Sequence, residues 1–425
     1  VKTSDLQIVI IGNGVAGNSA ASAIRKDSRE AAITMVSKEP FPEYSPCVLS
    51  KKYVSGEMKR EEVFLKDLED YSRENIKNIF GKAVTGIDIE KKEIVLEKSK
   101  IPYDKLIIAT GGKPIIPTIE GINKKGVFAL KTLKDADSIA SYQGTKAVVL
   151  GPGFIGVETS IALKKCGWEV SLVGGRTGII LRSIFDKEPS RRLREVIEGY
   201  GIKVFTSERP VKIIGNDYVS GVITDKQELD CNMIILALGI SPNIGLAQSA
   251  GIETGLLGGI KVNRQMMTNV EDVYACGDCV ETRDIITGDN ILSLLWHNAK
   301  QQGEIAGFNS IGIEKNYYGA LNLSTVDISG TYAVSIGHTM ERFKGQEVRI
   351  IEDKGNDYQR LLIVGGSIVG AQLVGSAEGV GPLISSILRR DSLANIKRII
   401  SGQELISRYL WRNRLYSCFK SVISG

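Results

Sequence analysis

Histidine is almost absent from this chain, with only His297 and His338 among 425 residues. That excludes a histidine-rich metal centre and leaves few groups that would change charge near neutral pH. Proline is scarce at 11, roughly half its usual share, which rules out a proline-rich or low-complexity chain. The six cysteines (47, 166, 231, 276, 279 and 418) are too scattered for an extracellular disulfide framework and fit a reducing compartment. Long apolar runs are lacking too. The nearest, Leu361 to Ala377, is broken by Gly365, Gly366 and Gln372 and alternates like a hairpin, so no transmembrane segment is expected. Ile8 to Ile11 passes straight into a glycine loop without the charged start of a secretory leader, and a cytoplasmic location is expected. A broad basic face is also missing. From Ser386 onward eight basic residues stand against Asp391 and Glu404, which exceeds the whole-chain charge of +5, so the rest is slightly negative. Nucleic-acid binding is not indicated.

Glycine, in contrast, is abundant: 46 residues, well above the roughly 7% of ordinary proteins. With 43% hydrophobic and 24% charged residues and a mean hydropathy of −0.01, the chain reads as globular, and its length allows about three domains. The glycines are placed. Leu6 to Ile11 is a β-rich run that enters Gly12-Asn13-Gly14-Val15-Ala16-Gly17 and then a small-residue helix from Asn18 to Ile24. Ala147 to Leu150 leads likewise into Gly151-Pro152-Gly153-Phe154-Ile155-Gly156, a helix from Val157 to Cys166 and a strand from Glu169 to Val173. Strand, glycine turn and helix N-terminus bring backbone amides to a pyrophosphate, which is why G-x-G-x-x-G loops bind dinucleotides. Each copy closes on a β-rich run ending in glycine, Asp104 to Gly111 and Asn232 to Gly239. The first glycines lie 139 residues apart and the closing ones 128, so the duplication has domain size.

Over about residues 5 to 385 the chain resembles the pyridine nucleotide-disulfide oxidoreductase family, the flavoproteins with two dinucleotide-binding domains. Besides the loops, the likeness rests on Ala109-Thr110-Gly111, on Ala237 to Asn243 and on Val273-Tyr274-Ala275-Cys276-Gly277-Asp278. It implies an α/β fold with two Rossmann-like domains, for FAD and NAD(P), and a C-terminal α+β interface domain. It implies residues 1–114 and 245–320 as a discontinuous FAD domain, 115–244 as the NAD(P) domain, and 321–425 as a dimerisation domain with a basic helical tail. Gly12, Gly14, Gly17, Ala109, Thr110, Gly111, Gly277 and Asp278 would face FAD. Gly151, Gly153, Phe154, Ile155, Gly156 and Gly239 would face NAD(P)H. Alternating β segments from Leu323 to Val374 fit the interface domain, and a homodimer through it is expected.

The stretch from Tyr44 aligns without a gap to the ferredoxin-reductase branch, whose Leu-Ser-Lys triplet, here Leu49-Ser50-Lys51, places a lysine beside the flavin. Trp296, Asn298, Gln302 and Gly303 match the W-x-N-A-x-x-Q-G of that branch, which puts Trp296 and Asn298 among the FAD residues; nitrite reductase flavin subunits share much of this. Glu39 is the expected ribose ligand. Glu158 is the family's residue beside the nicotinamide, and the resemblance pairs it with Lys51. Cys47 stands where the ferredoxin reductases carry proline. NADH oxidases and coenzyme A-disulfide reductases use a single cysteine near this place, and a helix start beside Lys51 would favour its thiolate; the plain alternative is a small buried filler. Cys276 and Cys279 flank the flavin motif without a second pair and are expected to pack rather than bind metal. After the strand ending at Val173, Gly174-Gly175-Arg176 replaces the ribose-binding acid, so NADH or NADPH is allowed, with Arg176 either a phosphate partner or an exposed loop residue. In the tail, Leu405, Tyr409, Leu410 and Phe419 share a face with Arg408, Arg412 and Lys420 interleaved, as in a helix docking on a dimer partner or on an acidic redox protein.

The expected activity is therefore transfer of hydride from NAD(P)H to FAD and of electrons onward to a redox protein or partner subunit, with Lys51 and Glu158 catalytic. One alternative routes electrons through Cys47 to oxygen, coenzyme A-type disulfides or persulfides. Another is a flavin-binding, redox-sensing interaction protein with little turnover.

Overall fold

In the computed structural model, residues 6–175, 177–343, 347–355 and 357–391 are described. They form two compact units, the first drawn from the described residues of 6–45, 60–113 and 240–321, the second from those of 46–59, 114–239 and 322–391.

At the centre of the first unit, strands Val273–Ala275, Lys105–Ile108, Gln7–Ile11, Ala32–Ser37 and Ile76–Phe80 lie side by side in that order, all parallel. Their unbroken apolar runs suit a sheet covered on both faces. Ile8, Ile10 and Ile107 pack towards helices Val15–Asp27 and Trp296–Ser310, whereas Val9, Ile11, Leu106 and Ile108 pack on a layer that includes Ile94, Leu96, Ala247 and Ile252. Ile94 and Leu96 belong to a three-stranded antiparallel sheet of Val84–Asp88, Glu93–Leu96 and Lys100–Pro102. The two helices touch backbone to backbone. A Cβ on Gly303 would lie 2.1 Å from the Ala16 carbonyl oxygen, and one on Gly307 2.4 Å from that of Ala20.

The second unit repeats the plan with strands Lys203–Thr206, Glu169–Gly174, Lys146–Leu150, Met233–Leu236 and Val127–Ala129, again all parallel. Helix Phe154–Lys165 follows the Lys146–Leu150 strand. An antiparallel sheet from residue 323 to 375 runs in the order Leu323–Ile328, Thr331–Gly337, Ser367–Gly375, Asp357–Val364 and Glu347–Lys354, followed by helix Val380–Arg389. The β segments expected from Leu323 to Val374 are found here. Asp186, just before helix Lys187–Gly199, ties the start of that helix to the C-terminal antiparallel sheet. Its carboxylate accepts from the Met340 amide at 3.0 Å and from Gln372 Nε2 at 2.9 Å, and lies 3.5 Å from Arg360 Nη2. The basic tail falls outside the described residues.

Segment Pro46–Lys59 groups with the second unit although its neighbours in sequence belong to the first. Tyr53 Oη donates to Asp137 Oδ1 at 2.5 Å, Cys166 Sγ to the Val54 carbonyl at 3.4 Å, and Lys165 pairs with Glu57 at 2.5 Å. These contacts tie the strap to helices Leu133–Ala140 and Phe154–Lys165.

The helix contact at Gly303 gives a direct test. Gly303→Ala forces a Cβ into the Ala16 carbonyl, and overpacking of this kind costs about 1–3 kcal/mol. Gly245→Ala, in helix Gly245–Ser249 where nothing lies within 4 Å, should be neutral or stabilise by up to about 1 kcal/mol. Urea unfolding midpoints of the two variants should move apart in those directions.

Candidate functional site

The two glycine loops are near copies. Gly12 and Gly151 have φ of +117° and +114°, where only glycine is comfortable. A Cβ would lie 2.0 Å from the Ala109 carbonyl oxygen at Gly12 and 2.3 Å from that of Ala237 at Gly151. At Gly17 and Gly156 it would lie 2.0 and 1.9 Å from the carbonyl oxygens of Gly12 and Gly151. The first and third glycines therefore allow the loop to press against the neighbouring strand end and its own helix. The middle ones differ: Gly14 and Gly153 face space empty to 4 Å. Each is the N-cap of its helix, neither has a side-chain cap bond, and neither helix has an acid in its first turn. Open amides, empty space and absence of negative charge together fit a pyrophosphate at each loop.

Around the first loop, Asn13 donates to the Phe41 carbonyl at 2.9 Å and accepts from Tyr71 Oη at 2.7 Å. Glu39, past the end of strand Ala32–Ser37, accepts from Tyr44 Oη at 2.8 Å. The Ala109-Thr110-Gly111 turn is clasped by Asn243, whose carbonyl accepts from Thr110 Oγ1 and whose amide donates to the Thr110 carbonyl. Gly277 (φ +83°) and the part-buried Asp278 follow strand Val273–Ala275. Trp296 opens its helix with Lys300 Nζ 5.5 Å from its ring. Buried Asn298 donates to Ser293 Oγ and the Leu321 carbonyl. The same unit holds a carboxyl that the sequence reading passed over. Glu43 is 7% exposed, and burial pushes it up to about 7 against the pull of Lys66 and Lys300.

In the second unit Lys51 and Glu158 meet as the resemblance implied. Lys51 Nζ stands 3.2 Å from Glu158 Oε1 and 5.7 Å from the centre of the Phe154 ring. Glu158 is 4% exposed, two residues after Gly156 in the helix that begins at Phe154. Ser50 Oγ donates to Glu158 Oε2 at 2.6 Å, a contact that the Leu-Ser-Lys triplet contained but that no spacing rule exposes. Oε1 makes only the ion-pair contact, without hydrogen-bond alignment. Burial raises the Glu158 carboxyl to about 7; Lys51 and Ser50 oppose that rise and do not cancel it.

Cys47 is exposed in the turn Pro46–Val48. The expected helix start is here three residues of 3-10 turn leading into the π-helical turn Leu49–Tyr53, too short to build a macrodipole. Gly174 and Gly175 take φ of +132° and +85° against the Pro152 ring, so backbone conformation accounts for glycine where an acid was expected. Gly111 and Gly239 are left-handed as well, at +64° and +106°. Arg176 falls outside the described residues. Cys276 and Cys279 are fully buried, burial raises both thiols, and Cys279 Sγ donates to the Cys276 carbonyl at 3.2 Å. Among the described residues no helix is long and apolar enough to cross a membrane.

Two parallel dinucleotide-type sheets, each with an open glycine loop, define an oxidoreductase that handles two nucleotide cofactors. Residues 6–303 match the family model described as pyridine nucleotide-disulphide oxidoreductase, and the chain belongs to that family. It is 33% identical to a protein named NADH oxidase of Methanocaldococcus jannaschii, over 94% of this chain and 93% of that one. It is 31% identical to a nitrite reductase [NAD(P)H] of Bacillus subtilis, matching 94% of this chain and about half of that protein (49%). The structure of an NAD-dependent persulfide reductase from A. fulgidus superposes with a TM-score of 0.86 at 29% identity, covering 92% of this chain and 78% of that one. The protein is an FAD-dependent NAD(P)H oxidoreductase.

The buried carboxyls set the sign of a pH effect. Between about pH 4.5 and 7 Glu158 is protonated when folded and ionised when unfolded, so the folded state binds more protons and stability falls as pH rises through that window. Glu43 acts in the same direction. Glu158→Gln removes one contribution. Urea midpoints of the flavin-free protein from pH 5 to 8 should fall less steeply for the variant than for wild type.

Proposed function

We propose that Glu158 and Lys51 serve the oxidation of NAD(P)H, and that the electrons leave through Cys47 to a small sulfur or oxygen acceptor: a coenzyme A-type disulfide, a persulfide or dioxygen. The observation that carries this reading is the Ser50–Glu158–Lys51 cluster with an exposed thiol three residues before Ser50 on the same strap. FAD, when bound, supplies hydride acceptance at N5 and storage of two electrons. Lys51 places a cation where negative charge grows during that transfer, and it can do so because Glu158 and the Phe154 ring fix its position. Glu158, with a carboxyl titrating near 7, can hold or release a proton at Oε1 while the Ser50 hydroxyl keeps Oε2 in place. The names of two relatives, NADH oxidase and persulfide reductase, support the Cys47 route over the redox-protein acceptor expected first. With no carboxylate at Gly174 or Gly175, either NADH or NADPH is compatible.

Anaerobic titration with NADH tests this. After treatment with a low-molecular-weight disulfide, wild type should consume two electrons per subunit more than Cys47→Ser, as the mixed disulfide at Cys47 takes up two electrons and two protons to give two thiols. Identical titrations would refute the thiol route and leave flavin-only delivery to a redox protein or partner subunit. Lys51→Met should slow flavin reduction in stopped flow by about tenfold or more; an unchanged rate removes Lys51 from the mechanism.

A further inference from the structure

Gln302 lies on helix Trp296–Ser310 and is completely buried. Its Oε1 accepts the Gly277 amide at 2.8 Å. The preceding amide, Cys276 N, still pairs with the Ile108 carbonyl across the sheet. At Gly277 the left-handed backbone departs from that ladder, and its N–H is met by a side chain. The other end of Gln302 bears on Tyr317, whose hydroxyl donates to Asn298 Oδ1 at 3.3 Å. Asn298 in turn donates to Ser293 Oγ and the Leu321 carbonyl. Gln302 Nε2 is buried without an aligned acceptor. Gln302, bonded to the Gly277–Asp278 turn, thus lies beside the Tyr317–Asn298 pair at the start of the Trp296–Ser310 helix, all within the first unit. Beside it Gly303 presses on the Ala16 carbonyl, in the first turn of the helix that follows the first open loop.

A leucine or methionine would fill the same space, so a buried amide at 302 calls for a reason beyond packing, because desolvating it is costly unless its bonds are made. We propose that Gln302 is a positioning residue for FAD: it sets the Gly277–Asp278 turn through the Gly277 amide and couples that turn, through Tyr317 and Asn298, to the start of the Trp296–Ser310 helix. The inference rests on the reading that these two segments face FAD. Breaking the link should loosen the flavin without unfolding the unit, because the sheet ladder and the helix contact at Gly303 remain.

The test uses holoenzyme variants Gln302→Met, which keeps bulk and loses the acceptor; Gln302→Glu, which keeps an acceptor oxygen; and Tyr317→Phe, which removes the hydroxyl that bonds Asn298. FAD release after dilution is read by flavin fluorescence, and the flavin environment by visible circular dichroism and reduction potential. Gln302→Met should release FAD about tenfold faster or more, with altered visible dichroism. Gln302→Glu, read at mildly acid pH where desolvation holds the buried carboxyl neutral, should keep the acceptor oxygen and release FAD more slowly than Gln302→Met, and Tyr317→Phe should lie between wild type and Gln302→Met. Release, dichroism and potential all unchanged in Gln302→Met would overturn the proposal. So would equal flavin loss in Gln302→Met and Gln302→Glu, which would reduce position 302 to packing. If Gln302→Met does not fold, Tyr317→Phe decides, and wild-type release and dichroism in that variant overturn it. A wild-type protein that neither holds nor takes up FAD would instead overturn the cofactor reading beneath it.

Discussion

Backbone pressed against backbone at four glycines is the constraint on which both units depend. Gly12 against Ala109 and Gly151 against Ala237 bring each loop onto a neighbouring strand end, and Gly17 and Gly156 bring each following helix onto its own loop. Any side chain there must displace a carbonyl, so the loops cannot relax by rotamer change alone. That closeness turns the helix N-termini, capped only by Gly14 and Gly153, towards space that a phosphate can occupy. Glycine abundance is thus partly a cost in chain entropy that stabilising contacts elsewhere must offset.

The Lys51–Glu158 contact is of another kind. An exposed pair would contribute about 0–1 kcal/mol, while burying a carboxylate is costly unless all its oxygens are met. Glu158 Oε1 is not fully met, and its carboxyl titrates near 7 despite an ammonium and a hydroxyl alongside. The arrangement leaves a buried group whose proton affinity lies close to neutral.

Much of this was legible in the sequence because it is written in short-range pattern. Both loops, their strands and the five β segments beyond Leu323 follow from periodicity and glycine spacing. The meeting of Lys51 with Glu158 was legible only through family likeness, since 107 positions separate them. Glu43 and Tyr317 were not anticipated, and neither were the partners of Ser50, Gln302 and Asn298, although the motifs contained those three: a buried polar side chain looks like a surface one until tertiary neighbours enclose it. Gly174 and Gly175 were read for the acid they lack, whereas their left-handed backbone against Pro152 decides their identity. The turn at Cys47 was expected as a helix start because local preference does not distinguish a 3-10 turn from the first turn of a helix.

The first unit is assembled from three separated stretches of chain, and this governs the order in which a ribosome can finish it. Its central sheet needs strand Val273–Ala275 beside Lys105–Ile108, so it stays incomplete until residue 275 has been made. The parallel sheet of the second unit, in contrast, closes with Met233–Leu236. During the interval the Lys105–Ile108 strand has an open, strongly apolar edge, the kind of surface that recruits chaperones or pairs with another nascent chain. The interrupted layout therefore makes the first unit a late folder: its strands before residue 113 wait for residues synthesised long after them.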